Sequence, residues 1–147
     1  KVFASMIDKY FNIKAKIVGP GLKSGLKIKL ENPKELGADL LCDAIGAYEK
    51  FNETCIIVDM GTATTLSVVD KNNAYLGGMI LPGVAISHDA LITRTSLLRK
   101  IALEPPRKVI GTETVDCMKS GLIYGSAGAL DGLIDRIQEE IPVRVRP

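Results

Sequence analysis

The string Asp59-Met60-Gly61-Thr62-Ala63-Thr64-Thr65 sets a carboxylate, a glycine and three hydroxyls directly after the apolar run Cys55–Val58. An acidic group at the end of a buried strand is expensive to desolvate, so it calls for backbone N–H groups, a hydroxyl or a cation beside it. Gly61 removes a side chain where the backbone turns. The residues after it then offer N–H groups and hydroxyls in a small concavity, an arrangement that binds phosphate. The same string also suits a plain strand–turn–strand in which threonine follows β propensity. It is neither a G-x-x-x-x-G-K-[ST] loop nor a G-x-G-x-x-G fingerprint. Asp39 and Asp43 are four residues apart and share one face of a predicted helix, where solvated surface carboxylates are also common.

The other reactive residue types say less. His88 is the only histidine and falls on a helix expected to be exposed. Cys42, Cys55 and Cys117 are far apart, odd in number and without a C-x-x-C pair. That argues against a zinc site or a disulfide framework and for small apolar side chains in a reducing cytoplasm.

The elements that must hold these residues follow from periodicity. Val2, Phe3, Met6, Ile7, Tyr10 and Phe11 recur at helical spacing over the first eleven residues. Ala15–Val18 is a short β-prone run ended by Gly19-Pro20-Gly21. Leu26, Ile28 and Leu30 alternate with Lys27 and Lys29, the pattern of a half-buried strand. Asn32-Pro33-Lys34-Glu35 reads as a capping box opening a helix to about Phe51, with Leu36, Leu40, Leu41, Ala44, Ile45 and Tyr48 as its stripe. Three strands follow, Cys55–Val58, Thr64–Val69 and Tyr75–Leu81, joined tightly enough for an antiparallel meander. Helices are expected from about Val84 to Leu98 and from about Thr114 to Ile141. Gly121, Gly125, Gly128 and Gly132 give the second of these a side of small residues. The whole predicts an α/β class, a mixed sheet with helices.

Composition narrows the field. Of 147 residues, 46% are hydrophobic and 24% charged, enough for a real core. The net charge is +2, and the one short basic run is the Arg144–Arg146 tail, so nucleic acid is not the expected partner. No apolar stretch reaches membrane-spanning length.

Asp59–Thr65 is similar to the second phosphate motif of the actin-like kinase superfamily, and the wider pattern resembles type III pantothenate kinase. The resemblance runs in order through Gly19-Pro20-Gly21 with Ser24-Gly25-Leu26, Asn32-Pro33 with Glu35-Leu36-Gly37-Ala38-Asp39, and Ala47-Tyr48-Glu49-Lys50. It continues through Asp59–Thr65, Gly77-Gly78-Met79-Ile80-Leu81-Pro82-Gly83 and Ser120-Gly121, covering about Lys1 to Glu140. It implies a ribonuclease H-like, actin-like ATPase fold. The implied activity is ATP-dependent phosphorylation of pantothenate to 4'-phosphopantothenate, the first step of coenzyme A biosynthesis.

Residue by residue, the resemblance makes Asp39 the general base on the pantothenate hydroxyl, with Gly37, Ala38 and Thr114 beside the substrate. A carboxylate on a helix flank beside apolar residues suits that role, because partial burial raises its proton affinity. Gly61, Thr62, Ala63, Thr64 and Thr65 would hold the ATP phosphates, Asp59 a monovalent cation (K+ or NH4+), and Mg2+ would accompany ATP. The expected assembly is a homodimer, in which Thr114 serves the neighbouring subunit; Thr114 also suits a helix N-cap. Gly77, Gly78 and Gly83 are expected to shape the backbone rather than to bind.

Departures from the family pattern stand beside it. Leu40 replaces the arginine of Gly-x-Asp-Arg, which would supply fixed charge-assisted donors. Asp43, Glu113 and Cys117 stand where Asn, Asn and Ser are common. Neither an Asp-x-Gly-Asn-Thr string nor a late Gly-Gly motif is present. Together with Lys1 as first residue, this leads us to expect an incomplete fold, the interior of a longer family member. Residues 1–51 would be the tail of a first actin-like domain and residues 52–147 most of a second. The alternative is a non-catalytic or degenerate paralogue acting as a regulatory or binding protein.

Overall fold

The computed structural model describes residues 2–19 and 22–141, so Pro20, Gly21 and the Arg144–Arg146 tail lie outside the described residues. The elements run α1 (Val2–Phe11), β1 (Lys27–Ile28), α2 (Ala38–Phe51), β2 (Cys55–Met60), β3 (Ala63–Asp70), β4 (Ala74–Pro82), α3 (Val84–Arg94) and α4 (Thr114–Glu140). The four strands form one mixed sheet in the order β1-β4-β3-β2. The expected meander is therefore present, and β1 joins it in parallel, Lys27 opposite Ala74 and Ile28 opposite Tyr75. The fold class is α/β.

Two compact units divide the chain, and β3 and β4 contribute to both. The first comprises the described residues up to Cys55 together with Ser67–Gly77. It buries Leu26, Leu36, Leu41, Ala44, Val69 and Tyr75. Ser67 Oγ and Tyr75 OH share a buried hydrogen bond of 3.0 Å, which satisfies both hydroxyls away from water. The second comprises Ile56–Leu66 and the described residues from Gly78 onward. Its buried residues include Leu66, Met118, Leu122 and Ile137, and α3 packs on α4.

Several local expectations are corrected here. The helix from Asn32 is broken. Asn32 caps only one 3-10 turn, Pro33–Glu35, accepting from Lys34 N–H at 3.3 Å and donating to Glu35 Oε1 at 2.7 Å. Leu36 then adopts ψ 119° and Gly37 ψ 152°, both extended, so α2 starts afresh at Ala38 with Gly37 as its N-cap. Ala15–Val18 forms no strand: Ile17 and Val18 are exposed. The alternating run Leu26–Leu30 is a ladder of only two residues. α3 ends at Arg94 because Thr95 turns extended. α1 is helical as expected but buries none of its residues.

The β3–β4 turn shows how a short polar sequence fixes the register. Asp70 Oδ1 accepts from the N–H of Asn72 at 2.8 Å and of Ala74 at 2.9 Å, and Oδ2 accepts from Asn72 Nδ2 at 3.2 Å. Asn73 takes the left-handed conformation at φ 56°, which asparagine tolerates. Burial pushes Asp70 upward, but the hydrogen bonds from Ala74 and Asn72 and the charge of Lys27 prevail and hold it below the ordinary carboxylate value. A carboxyl lowered in the folded state stabilises above its unfolded value and loses that contribution as pH falls through the lower folded value. Asp70→Ala is therefore expected to cost about 1.5 kcal/mol at neutral pH. In urea titrations at several pH values, that difference should shrink below about pH 4.

Candidate functional site

The strand–turn–strand reading of Asp59–Thr65 describes the geometry. β2 runs through Asp59 to Met60, Gly61 and Thr62 form the turn, and β3 begins at Ala63. Among the described residues β2 is an edge strand, and Asp59 is exposed, so the expected cost of desolvating a buried carboxylate does not arise. Its Oδ1 lies 3.9 Å from where a Cβ on Gly61 would sit, keeping the carboxylate at the turn. The Gly61 N–H donates to Ala63 O at 3.0 Å and is thus already committed. Thr62 is exposed and Ala63 and Thr65 half-buried. Strand alternation sends Thr64 and Thr65 to opposite faces of β3. Thr64 is only 6% exposed, so the two hydroxyls do not line one cup.

The turn is locked from β4's end by Gly83. Its N–H donates to Thr62 O at 3.1 Å. A Cβ on Gly83 would run into the carbonyl oxygens of Gly61 and Thr62, backbone atoms with no rotamer to yield. The backbone-shaping role expected of Gly83 is thus a specific contact with the turn.

Below Thr64 a cleft of about 240 Å³ opens between the strand ends and α4. Met60, Leu81 and Leu122 give it apolar walls, and Gly121 and Gly125 of α4 leave it open on the helix side.

Thr114 is exposed as the first residue of α4, but the N-cap is Glu113, which makes no side-chain cap hydrogen bond. The expected threonine cap is therefore corrected. The start of α4 is held instead by its neighbours. Ser120 Oγ donates to Val109 O, Cys117 Sγ donates to Gly111 O at 3.3 Å, and a Cβ on Gly111 would meet the backbone of Asp116 and Cys117. Lys119 pairs with Glu104 at 2.6 Å, which lowers the Glu104 carboxyl through that hydrogen bond and charge.

Gly37, Ala38 and Asp39 belong to the first unit, and Asp59–Thr65 and Thr114 to the second. Asp39 is exposed, which corrects the expected partial burial. The break at Leu36–Gly37 places it in the first turn of α2, where the aligned peptide dipoles favour a negative charge. Its Oδ1 accepts from Leu40 N–H at 2.9 Å. Leu40 beside it is half-buried.

His88 overturns its expectation. It is 4% exposed, and its Nε2 accepts the Ile101 N–H at 3.2 Å, tying α3 to the loop after it. The only sequence signal for this was its helical spacing from Val84 and Leu91. Among the described residues no three His, Cys, Asp or Glu side chains gather as a metal cluster, and no helix is long and apolar enough to cross a membrane.

Comparison with known proteins gives these positions a lineage. A family model described as type III pantothenate kinase matches residues 1–136. A type III pantothenate kinase of Syntrophus aciditrophicus is 44% identical over 140 residues, covering 95% of this chain and 55% of that protein. Another, from Koribacter versatilis, is 43% identical over 142 residues, covering 97% and 52%. A solved structure from Campylobacter jejuni, assigned to the Baf family, is 23% identical with a TM-score of 0.49, covering 86% of this chain and 68% of that one. At that level the superposition carries no argument. The class is that of a kinase family, given by the sequence relatives. The chain belongs to the type III pantothenate kinase family, and it spans about half the length of the curated relatives it matches.

Proposed function

We propose that the chain is part of an enzyme that transfers the γ-phosphoryl group of ATP to the primary hydroxyl of pantothenate. The observation that carries this reading is the Asp59–Thr65 turn, locked by Gly83, in a chain of this family. In this reading residues 1–51 close a first actin-like domain and residues 52–147 form most of a second. The enzyme is a cytoplasmic homodimer in which Thr114 reaches the partner's pantothenate.

The chemistry asks mainly for positioning and charge neutralisation. Asp39 takes the proton of the pantothenate hydroxyl, whose oxygen bonds to the γ-phosphorus as the bond to the β-phosphate oxygen breaks and ADP leaves. Exposure in the first turn of α2 leaves the Asp39 carboxylate open to a substrate. Thr62 and Thr65 offer hydroxyls at the turn, and Ala63 brings no bulk. Asp59 is exposed and makes no side-chain hydrogen bond, which suits a hard cation that also needs phosphate and water oxygens. Asp59 would hold a monovalent cation (K+ or NH4+), and Mg2+ would accompany the phosphates to neutralise their charge.

The test is pantothenate-dependent ADP release by the full-length enzyme, with 4'-phosphopantothenate identified by mass and with potassium varied. Potassium-stimulated product is expected. Leu40→Arg, which restores a charge-assisted donor beside Asp39, is expected to raise kcat/KM roughly tenfold. No pantothenate-dependent product from either protein would overturn the reading in favour of a non-catalytic paralogue.

A further inference from the structure

We propose that the cleft beside Thr64 binds a small uncharged ligand with an aliphatic body and one neutral hydrogen-bonding head. This site lies on the opposite face of β3 from Thr65. Gly121, Gly125 and Gly128 stand in the middle of α4, where glycine weakens a helix relative to alanine. A Cβ built on any of the three meets nothing within 4 Å, so no packing within the described chain requires glycine there. What two of them do is hold the cleft open: Gly121 and Gly125 line it.

Opposite them is Thr64, more than nine-tenths buried, lining the same cleft and making no side-chain hydrogen bond. Its hydroxyl is not sealed in, since the one fully buried side-chain oxygen or nitrogen without a partner among the described residues is Asn73 Oδ1; it stays accessible from the cleft and free to donate to or accept from an occupant. Two serines also line the cleft: Ser87 of α3 is half-buried with its hydroxyl uncommitted, and Ser126 commits its own to Leu122 O at 2.6 Å. No charged side chain faces the space, which rules against phosphate or carboxylate as occupant. Its volume of about 240 Å³ is below that of drug-sized pockets, so the occupant is a short alcohol or one slender arm of a larger molecule.

The experiment is an NMR titration of the chain with 1-butanol and, separately, with 1-chlorobutane, which matches its shape without the hydroxyl. Saturable shifts are expected for both at the methyls of Met60, Leu81 and Ala129. Thr64→Val should weaken 1-butanol about fivefold, the worth of one ordinary hydrogen bond, without weakening 1-chlorobutane. Thr64→Ser should keep the alcohol's binding. Gly125→Leu, which favours the helix and fills the cleft, should abolish binding of both. Equal responses of the two probes to Thr64→Val, binding that survives Gly125→Leu, or no saturable shift in the unmodified chain would each overturn the proposal.

Discussion

Asp39→Asn is expected to lower the turnover of the full-length enzyme by roughly 10²–10⁴-fold, the usual contribution of a positioned general base. Asparagine keeps the size of the side chain and can still accept the Leu40 N–H that Asp39 accepts at 2.9 Å. What it cannot do is take a proton. The loss should therefore fall on kcat, with KM for pantothenate little changed. Because Asp39 is exposed, the variant should unfold at nearly the same denaturant concentration as the parent, the lost helix-dipole interaction costing at most about 1 kcal/mol. Steady-state kinetics beside urea unfolding separates the two quantities. Full turnover in a stably folded Asp39→Asn enzyme would remove the residue from the reaction and leave the alternative paralogue reading standing.

Gly83→Val should have the largest effect on stability, about 3 kcal/mol, at the upper end of what overpacking usually costs. The incoming side chain would strike the carbonyls of Gly61 and Thr62, and one of these already accepts the Gly83 N–H. Relief requires moving the turn itself, so ATP affinity should fall together with the unfolding midpoint. Gly128→Ala provides the contrast within the same unit. Its Cβ enters open space in a helix, so a gain of about 0.5–1 kcal/mol is expected. Chemical denaturation of the two variants checks both signs.

The parts of this fold legible in the sequence were those with strong local patterns. The runs that became β2, β3 and β4 were apolar, β-branched and separated by glycine, asparagine or aspartate, so their existence and pairing followed from composition and turn chemistry. The long α4 was equally clear. What stayed hidden depended on tertiary contacts. The apolar stripe of α2 gave no sign that Leu36 and Gly37 would leave helical geometry, and that break decides where Asp39 stands. His88 looked like a surface residue because nothing local reveals that Ile101 will return to it. At the turn, residue types and order were readable, but the faces of Thr64 and Thr65 were not. They hang on β3 starting at Ala63, and a slip of one residue would exchange them.

The two borders of the sheet differ in a way that bears on handling the protein. β1 is two residues long and carries Lys27, with Lys29 just beyond it, so it offers little for another chain to pair with. Among the described residues β2 is the other border; it is six residues long, has neither lysine nor proline, and exposes Val58 and Met60 on either side of a single charge, Asp59. Concentrated samples of this polypeptide alone are therefore expected to associate through that second border, and light scattering against concentration would show it.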